Sequence, residues 1–302
     1  MTDAAKGVLV SVLVPFRNAA PFLASCCRSI LGQTHVNWEA LLIDDNSSDG
    51  SLGIAREFVT LDSRFRLIRT WRSPGDPAGP WLPRNQGLQA AEGAFIAFLD
   101  ADDVWHSEKL KRQLNLMHHT WSDFCVSAYV RFSDNTKWIS ELRTPPPRIR
   151  PSLVAVINPI PLSTVVARRE CLGPGFRPVC HEDHDAWRRL FQTSTVRYCC
   201  VVTPLMAYRI HQSNLTGSWL HKLNMLRQFQ EQRGYRWRPD RFLLFLLLQV
   251  GHQVRSLRWR LRRTSIHSMG FQADAISPSE MTLEAYQVCE KMVDVSGNEG
   301  EL

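Results

Sequence analysis

The chain has 302 residues, 44% hydrophobic and 22% charged, with 16 Gly and 17 Pro, an ordinary globular composition that excludes collagen, a coiled-coil rod and a low-complexity tail. A chain this long buries roughly three quarters of its unfolded surface and needs no disulfide staple, and we read it as one domain with an appendage. The formal charge of +7 is local: residues 222–263 carry eleven Lys and Arg against Glu231 and Asp240, and residues 264–302 carry one Lys against seven acids. Such a block argues against a nucleic-acid-binding protein as a whole, and it has either a polyanionic neighbour or a solvated face.

The first hundred residues alternate β-branched runs with helical spacing. Strands are predicted at Val8–Val14, Trp38–Ile43, Phe65–Ile68 and Ala94–Leu99, and helices at Pro21–Leu31, from a cap at Ser47 or Ser48 through Phe58, and at Arg84–Ala91. This rhythm implies a mostly parallel α/β sheet with right-handed crossovers, covered on both faces. Ligands of such sheets bind beyond the carboxyl ends of the strands. Pro15–Asn18, Asp44–Asp49 and Asp100–Asp103 are therefore expected to share one crevice.

From Asp123 the pattern changes to short extended pieces, Phe124–Phe132 and Thr136–Ile139. The Pro-rich break TPPPRIRP at 144–151 is a loop or a lid, because three consecutive prolines continue neither a helix nor a central strand. Ser163–Ala167 and Val196–Val202 read as strands flanking the core, and Glu182–Phe191 as a helix. Eight cysteines form two adjacent pairs and four singletons without CxxC or zinc spacing, and we expect reduced core residues. The N-terminal segment lacks a basic flank and a long apolar region, and the longest apolar run, 242–250, is too short to span a bilayer. A cytoplasmic protein is expected.

Phe98-Leu99-Asp100-Ala101-Asp102-Asp103 is an apolar strand ending in three carboxylates. Their mutual repulsion is relieved by a cation, and hard oxygen ligands suit Mg²⁺ or Mn²⁺. The alternative is an exposed acidic turn capping the following helix.

VSVLVPFRNAAPFLASCCRSILGQT, WEALLIDDNSSDGS and PRNQGLQAAEGAFIAFLDADDVW, followed by HEDHDAWRRL at 181–190 and YRIHQSNLT at 208–216, resemble the family 2 glycosyltransferases. These are inverting enzymes of the GT-A fold that use nucleotide sugars, and the resemblance covers about 210 residues. It implies a GT-A catalytic domain over 1–217, with a Rossmann-like mostly parallel sheet, flanking helices and a small mixed sheet; residues 218–302 lie beyond the match and read from their composition as a basic, amphipathic helical extension with a flexible acidic tail. The resemblance also implies roles for single residues. Asp100 bonds the ribose and approaches the metal; Asp102 ligates the metal and bridges it to the diphosphate; His211 supplies a further ligand, and Asp103 is the weaker candidate. Asp44 and Asp45 contact base and ribose, although Asp45 equally suits a helix cap. Pro15, Phe16 and Arg17 line the base pocket. Arg84 offsets phosphate charge, Asn85 bonds nearby, and Ala101 lies within the nucleotide-sugar motif.

Of the acids in HEDHD, the resemblance makes Asp183 the base that deprotonates the acceptor hydroxyl, with Glu182 orienting it and Asp185 a third choice. An acidic first turn favoured by the helix dipole accounts for the same residues without catalysis. Arg168, Arg169 and Gly175 stand where the family borders donor sugar and acceptor. The expected partners are a nucleoside-diphosphate sugar, UDP favoured over GDP or dTDP, and a saccharide or lipid-linked acceptor for surface polysaccharide or glycolipid.

Trp219, Trp237 and Trp259 interleave with the arginines of the extension. This composition suits either a helix lying on the anionic inner face of the cell membrane or one packed on protein with Arg toward water. A nucleotidyltransferase would share the carboxylates without needing the ED and YRIH blocks. A catalytically silent nucleotide-sugar-binding or membrane-recruiting protein is the reading from another class.

Overall fold

The computed structural model describes residues 7–133, 139–154, 157–179, 181–193, 195–211 and 269. The predicted extension over 218–302 lies outside them apart from Met269, as do residues 136–138 of the predicted strand at Thr136.

Among the described residues nine strands form one sheet: β1 (Val10–Phe16), β2 (Trp38–Asp44), β3 (Phe65–Arg69), β4 (Phe95–Phe98), β5 (Val104–Trp105), β6 (Phe124–Ser133), β7 (Ile139–Arg143), β8 (Val165–Arg168) and β9 (Tyr198–Ile210). Their order is β3-β2-β1-β4-β8-β6-β9-β5, with β7 on β6. The strands β3, β2, β1 and β4 are parallel, as the alternation predicts. Beyond them β8 runs antiparallel to both β4 and β6, while β6 and β9 are parallel.

Alternation along β1 sends Val10, Val12 and Val14 into one core and Leu13 into the other, so helices cover both faces. On the first face lies α1 (Ala20–Leu31), which buries Leu23, Cys26, Cys27 and Ile30 at helical spacing and has Pro21 in its first turn. On the other, α3 (Trp81–Ala90) begins three residues before the predicted start. Pro83 does not prevent this, because amide groups in a first turn have no partner inside the helix.

The predicted cap of α2 (Ser51–Leu61) is corrected. Asp49 Oδ1 accepts the Ser51 amide at 3.0 Å, whereas Ser47 and Ser48 bond Asn18. The segment predicted as Val196–Val202 is the start of the thirteen-residue β9. Its register to β6 slips around Pro204, which has no amide proton to give to a ladder. Beyond the bulge the strand continues to Ile210 and delivers His211 to the crevice. The six cysteines among the described residues are free.

Candidate active site

Three elements build the centre of the site. The first is the turn after β4, whose register continues through the Leu99 amide to Leu13 O at 3.0 Å. The second is α6 (Glu182–Thr193), entered through His181 in the left-handed region (φ 54°). The third is the end of β9. Phe98, two residues before Asp100, packs edge-on against Phe176 and Trp187, and Trp187 also meets Phe124. One aromatic cluster thus fixes the acidic helix start against the acidic strand end.

Arg84 of α3 lies between them, 6% exposed. Its Nη2 donates to Asp100 Oδ1 at 2.8 Å and its Nη1 pairs with Glu182. Asp100 keeps 36% of its side chain accessible yet sits deep in protein. Burial raises its carboxyl above the usual range, Arg84 opposes the rise, and repulsion from Asp102 and Asp183 adds to it. Arg84, expected beside phosphate, is thus the counterion shared by the strand-end acid and the helix acid.

Asp102 Oδ2 lies 3.0 Å from His211 Nε2, and the imidazole stacks on Phe22 with centroids 4.4 Å apart. Among the described residues no three His, Cys, Asp or Glu side chains gather to hold a metal by themselves. Asp102 and His211, with Asp100 alongside, still fit a divalent ion, since Mg²⁺ and Mn²⁺ commonly take one or two carboxylates and complete their shell with substrate phosphates. Asp103 points away: it is 2% exposed, with Oδ2 accepting the Ser163 hydroxyl at 2.6 Å. Burial, then repulsion from Asp102 and Asp100, raises its carboxyl well above the usual range, against hydrogen bonds from Ser163 and the Arg209 amide.

Asp183 is half-buried at the start of α6, its Oδ2 accepting Asn158 Nδ2 at 2.7 Å. Asp185 is taken up within the helix by Arg188 at 3.0 Å and Arg189 at 2.9 Å. Burial pushes its carboxyl up, but the hydrogen bonds from those two arginines outweigh this and hold it below the usual range.

At the neighbouring strand ends, Pro15 and Phe16 are the last residues of β1 and are buried, while Arg17 is exposed. Asp44 Oδ1 accepts the Ser47 amide at 2.9 Å. Asp45 is not a helix cap: both its oxygens are taken by Arg72, at 2.9 and 2.7 Å.

Three further expectations change. Asn85 holds the backbone of Phe176 from both sides at 2.8 Å, so its amide is occupied. Gly175, at φ 74°, lies against that same Asn85, where a Cβ would collide. Antiparallel β8 carries Arg168 to Phe95, at the end of β4 opposite the crevice, and Arg169 follows it there. The side chain of Ala101 faces the apolar core.

Sequence reasoning missed Ser163, Asn158 and Arg209. Ser163 Oγ accepts the Asp100 amide at 3.1 Å while donating to Asp103, so it pins both ends of the acidic turn. Arg209, 3% exposed, donates to Asp102 O at 2.9 Å and to Ser25 Oγ at 3.0 Å. A serine in the single 3-10 turn before β8 and an arginine inside a strand carry no local signal.

A half-parallel sheet with an acidic, metal-compatible crevice at its strand ends is the arrangement of a GT-A enzyme. Residues 11–163 match the family described as Glycosyl transferase family 2, and over 219 residues the chain is 32% identical to the UDP-Glc:alpha-D-GlcNAc-diphosphoundecaprenol beta-1,3-glucosyltransferase WfgD of Escherichia coli, covering 71% of this chain and 82% of that one. The chain belongs to glycosyl transferase family 2.

It is also 34% identical over 121 residues to the putative teichuronic acid biosynthesis glycosyltransferase TuaG of Bacillus subtilis, covering 40% of this chain and 46% of that one. The fold is shared with S. aureus TarS, solved with UDP-GlcNAc (TM-score 0.56, 20% identity, 70% of this chain and 61% of that one). It is shared too with the mannosyltransferase PcManGT of Pyrobaculum calidifontis, solved with GDP-Man and Mn²⁺ (TM-score 0.55, 16% identity, 96% and 81%).

Proposed function

We propose that this glycosyltransferase is metal-dependent and inverting, and that it moves a sugar from a nucleoside diphosphate, UDP before GDP or dTDP, to a hydroxyl of a saccharide or lipid-linked acceptor in surface polysaccharide or glycolipid synthesis. The observation that carries this reading is the grouping of Asp102–His211, Asp100–Arg84–Glu182 and Asp183 at one end of the sheet. The acceptor named in WfgD supports the lipid-linked part.

Asp102 and His211, with Asp100, would hold Mn²⁺ or Mg²⁺, which as a Lewis acid offsets the charge growing on the departing diphosphate. The remaining work belongs to side chains. Asp183 takes the proton of the acceptor hydroxyl as its oxygen bonds the anomeric carbon and the bond from that carbon to the phosphate oxygen breaks. Asn158 orients the Asp183 carboxylate through Oδ2. Glu182 is locked to Arg84 and serves to hold α6 in place.

Among the described residues no helix is long and apolar enough to cross a membrane. We assign the enzyme to the cytoplasm, peripheral on the inner membrane face, on the strength of the cationic, aromatic block at 222–263. The full chain should float with anionic vesicles at low salt and be released at moderate salt; flotation at neither would remove this part.

Calorimetry with UDP, GDP and dTDP, each with Mn²⁺ and with EDTA, tests the donor side; one nucleotide should bind tightly with metal and only weakly in EDTA. For the base, Asp183→Asn should lower kcat on the order of 10³-fold and leave nucleotide affinity within about twofold. Full activity in that variant would defeat the mechanism.

A further inference from the structure

Beside the acidic start of α6 lies a cationic feature that the transfer step does not use. The segment leading into α5 (Pro151–Val154), with the start of that helix, borders an open cavity of about 470 Å³ lined by Pro147, Arg148, Arg150, Ser152 and Leu153. Arginines nearby are neutralised, Arg188 and Arg189 by Asp185 and Arg84 by Asp100 and Glu182. Arg148 and Arg150 are exposed, and among the described residues neither has an acidic partner.

The cavity is tied to the catalytic helix. Tyr198 OH donates to Pro146 O at 2.8 Å, and His184 Nε2 bonds Val154 O at 2.5 Å. The Ile157 amide donates to Leu153 O at 3.0 Å, and Asn158, the next residue, holds Asp183. A substrate with its hydroxyl at Asp183 therefore has this cavity as a neighbour.

Two arginines that line one cavity suit the oxygens of a phosphate or diphosphate, to which arginine binds in a bidentate manner. Pro147 and Leu153 supply an apolar wall beside them. We propose that this cavity binds the phosphate or diphosphate that joins the acceptor saccharide to an apolar chain, with Arg148 and Arg150 on the anion and Pro147 and Leu153 against the first part of the chain. The proposal rests on the reading that Asp183 faces the acceptor, and it assigns a recognition site to the part of the acceptor that does not react.

The test is calorimetric, on the full chain in EDTA, which removes the metal-dependent donor site from competition. Farnesyl diphosphate, inorganic diphosphate and farnesol are titrated into the wild type, into the Arg148→Gln, Arg150→Gln double variant and into the Arg148→Lys, Arg150→Lys variant. Farnesyl diphosphate should bind the wild type, bind the glutamine variant at least tenfold more weakly, and bind the lysine variant with intermediate affinity. Both positions are exposed, so folding should be unaffected, which a melting curve checks.

Equal affinity for wild type and glutamine variant, or no binding to the wild type, overturns the proposal. Inorganic diphosphate binding as tightly as farnesyl diphosphate would make this a free-anion site and overturn the lipid-linked part. Farnesol binding that matches farnesyl diphosphate would remove the role of the arginines. None of these outcomes depends on turnover. A failure of sugar transfer in an Asp183→Asn comparison is read separately.

Discussion

The ends of β2 and β4 both present clustered carboxylates in one sheet, yet the protein treats them differently. At β2, Asp45 is closed by the fork of Arg72, while Asp44 takes the Ser47 amide on Oδ1 and keeps a buried Oδ2 without a hydrogen bond among the described residues, Arg69 lying 3.8 Å away. At β4 a single guanidinium is shared by Asp100 and Glu182, Asp103 turns inward to Ser163, and Asp102 meets the imidazole of His211. Acidic residues at a strand end define a crevice; which of them act is decided by what the neighbouring elements set against them. At the β2 end Asp45 is neutralised by Arg72, whereas the β4 end keeps a donor pair suited to a cation.

The largest expected effect separates the two ends in binding. Asp102→Asn should weaken nucleotide binding in Mn²⁺ by about 100-fold and leave the weak binding in EDTA unchanged, because one ligand of a two-residue donor set is lost. Asp45→Asn should weaken it by no more than about threefold in either condition, Arg72 already holding that carboxylate. Equal losses in the two variants would erase the distinction.

A second comparison is read in stability. Arg84→Met leaves Asp100 and Glu182 facing each other without a counterion and should cost about 3–5 kcal/mol, as broken buried pairs do. Arg72→Met removes the partner of one buried carboxylate, Asp45, rather than of two and should cost about 1.5–3 kcal/mol. Urea titrations of both variants measure this, and similar midpoints would mean that Arg84 does not bear the charge of the β4 end.

A third and smaller effect concerns the hidden support of the β4 end. Ser163→Ala deletes the hydroxyl that spans the Asp100 amide and the Asp103 carboxyl, at a cost of about 1–3 kcal/mol for a buried group left unbonded. Nucleotide affinity should fall several-fold with Mn²⁺ and stay unchanged with EDTA. A stability loss without that split would confine Ser163 to structure.

The parallel half of the sheet was legible because strand runs and helical spacings alternate along the chain, and the same pattern placed Asp44, Asp45 and Asp100–Asp103 at strand ends. The ordered motifs added Asp183 and His211. What was not legible depends on contacts distant in sequence. The occupied amide of Asn85 follows from Phe176, 91 residues away, and the supporting role of Ser163 from a turn 60 residues earlier. Arg168 and Arg169 were misplaced because a sequence does not announce that β8 runs antiparallel, which sends its end away from the crevice. β9 was underestimated because Pro204 interrupts its pattern at a bulge the strand survives.

The smallest effect is a change of slope, and it arises where α4 (Lys109–Thr120) packs on β6, β8 and β9. Lys109 of α4 is fully buried, its Nζ donating to Gln113 Oε1 at 2.5 Å and lying 4.4 Å from the centroid of Trp105. Burial pushes its ammonium down to about 7. In the unfolded chain the same group keeps its proton to about 10.4. Between these values the unfolded state holds more protons, so folding stability gains from this residue as pH rises from 7 and the gain is absent below 7. Lys109→Met removes the titration. The urea midpoint of the wild type should therefore climb relative to Lys109→Met between pH 7 and pH 9, and the two should run in parallel between pH 5 and pH 6. Parallel midpoints across the whole range would show that Lys109 keeps its proton in the folded protein, with Gln113 and Trp105 holding a permanent buried charge.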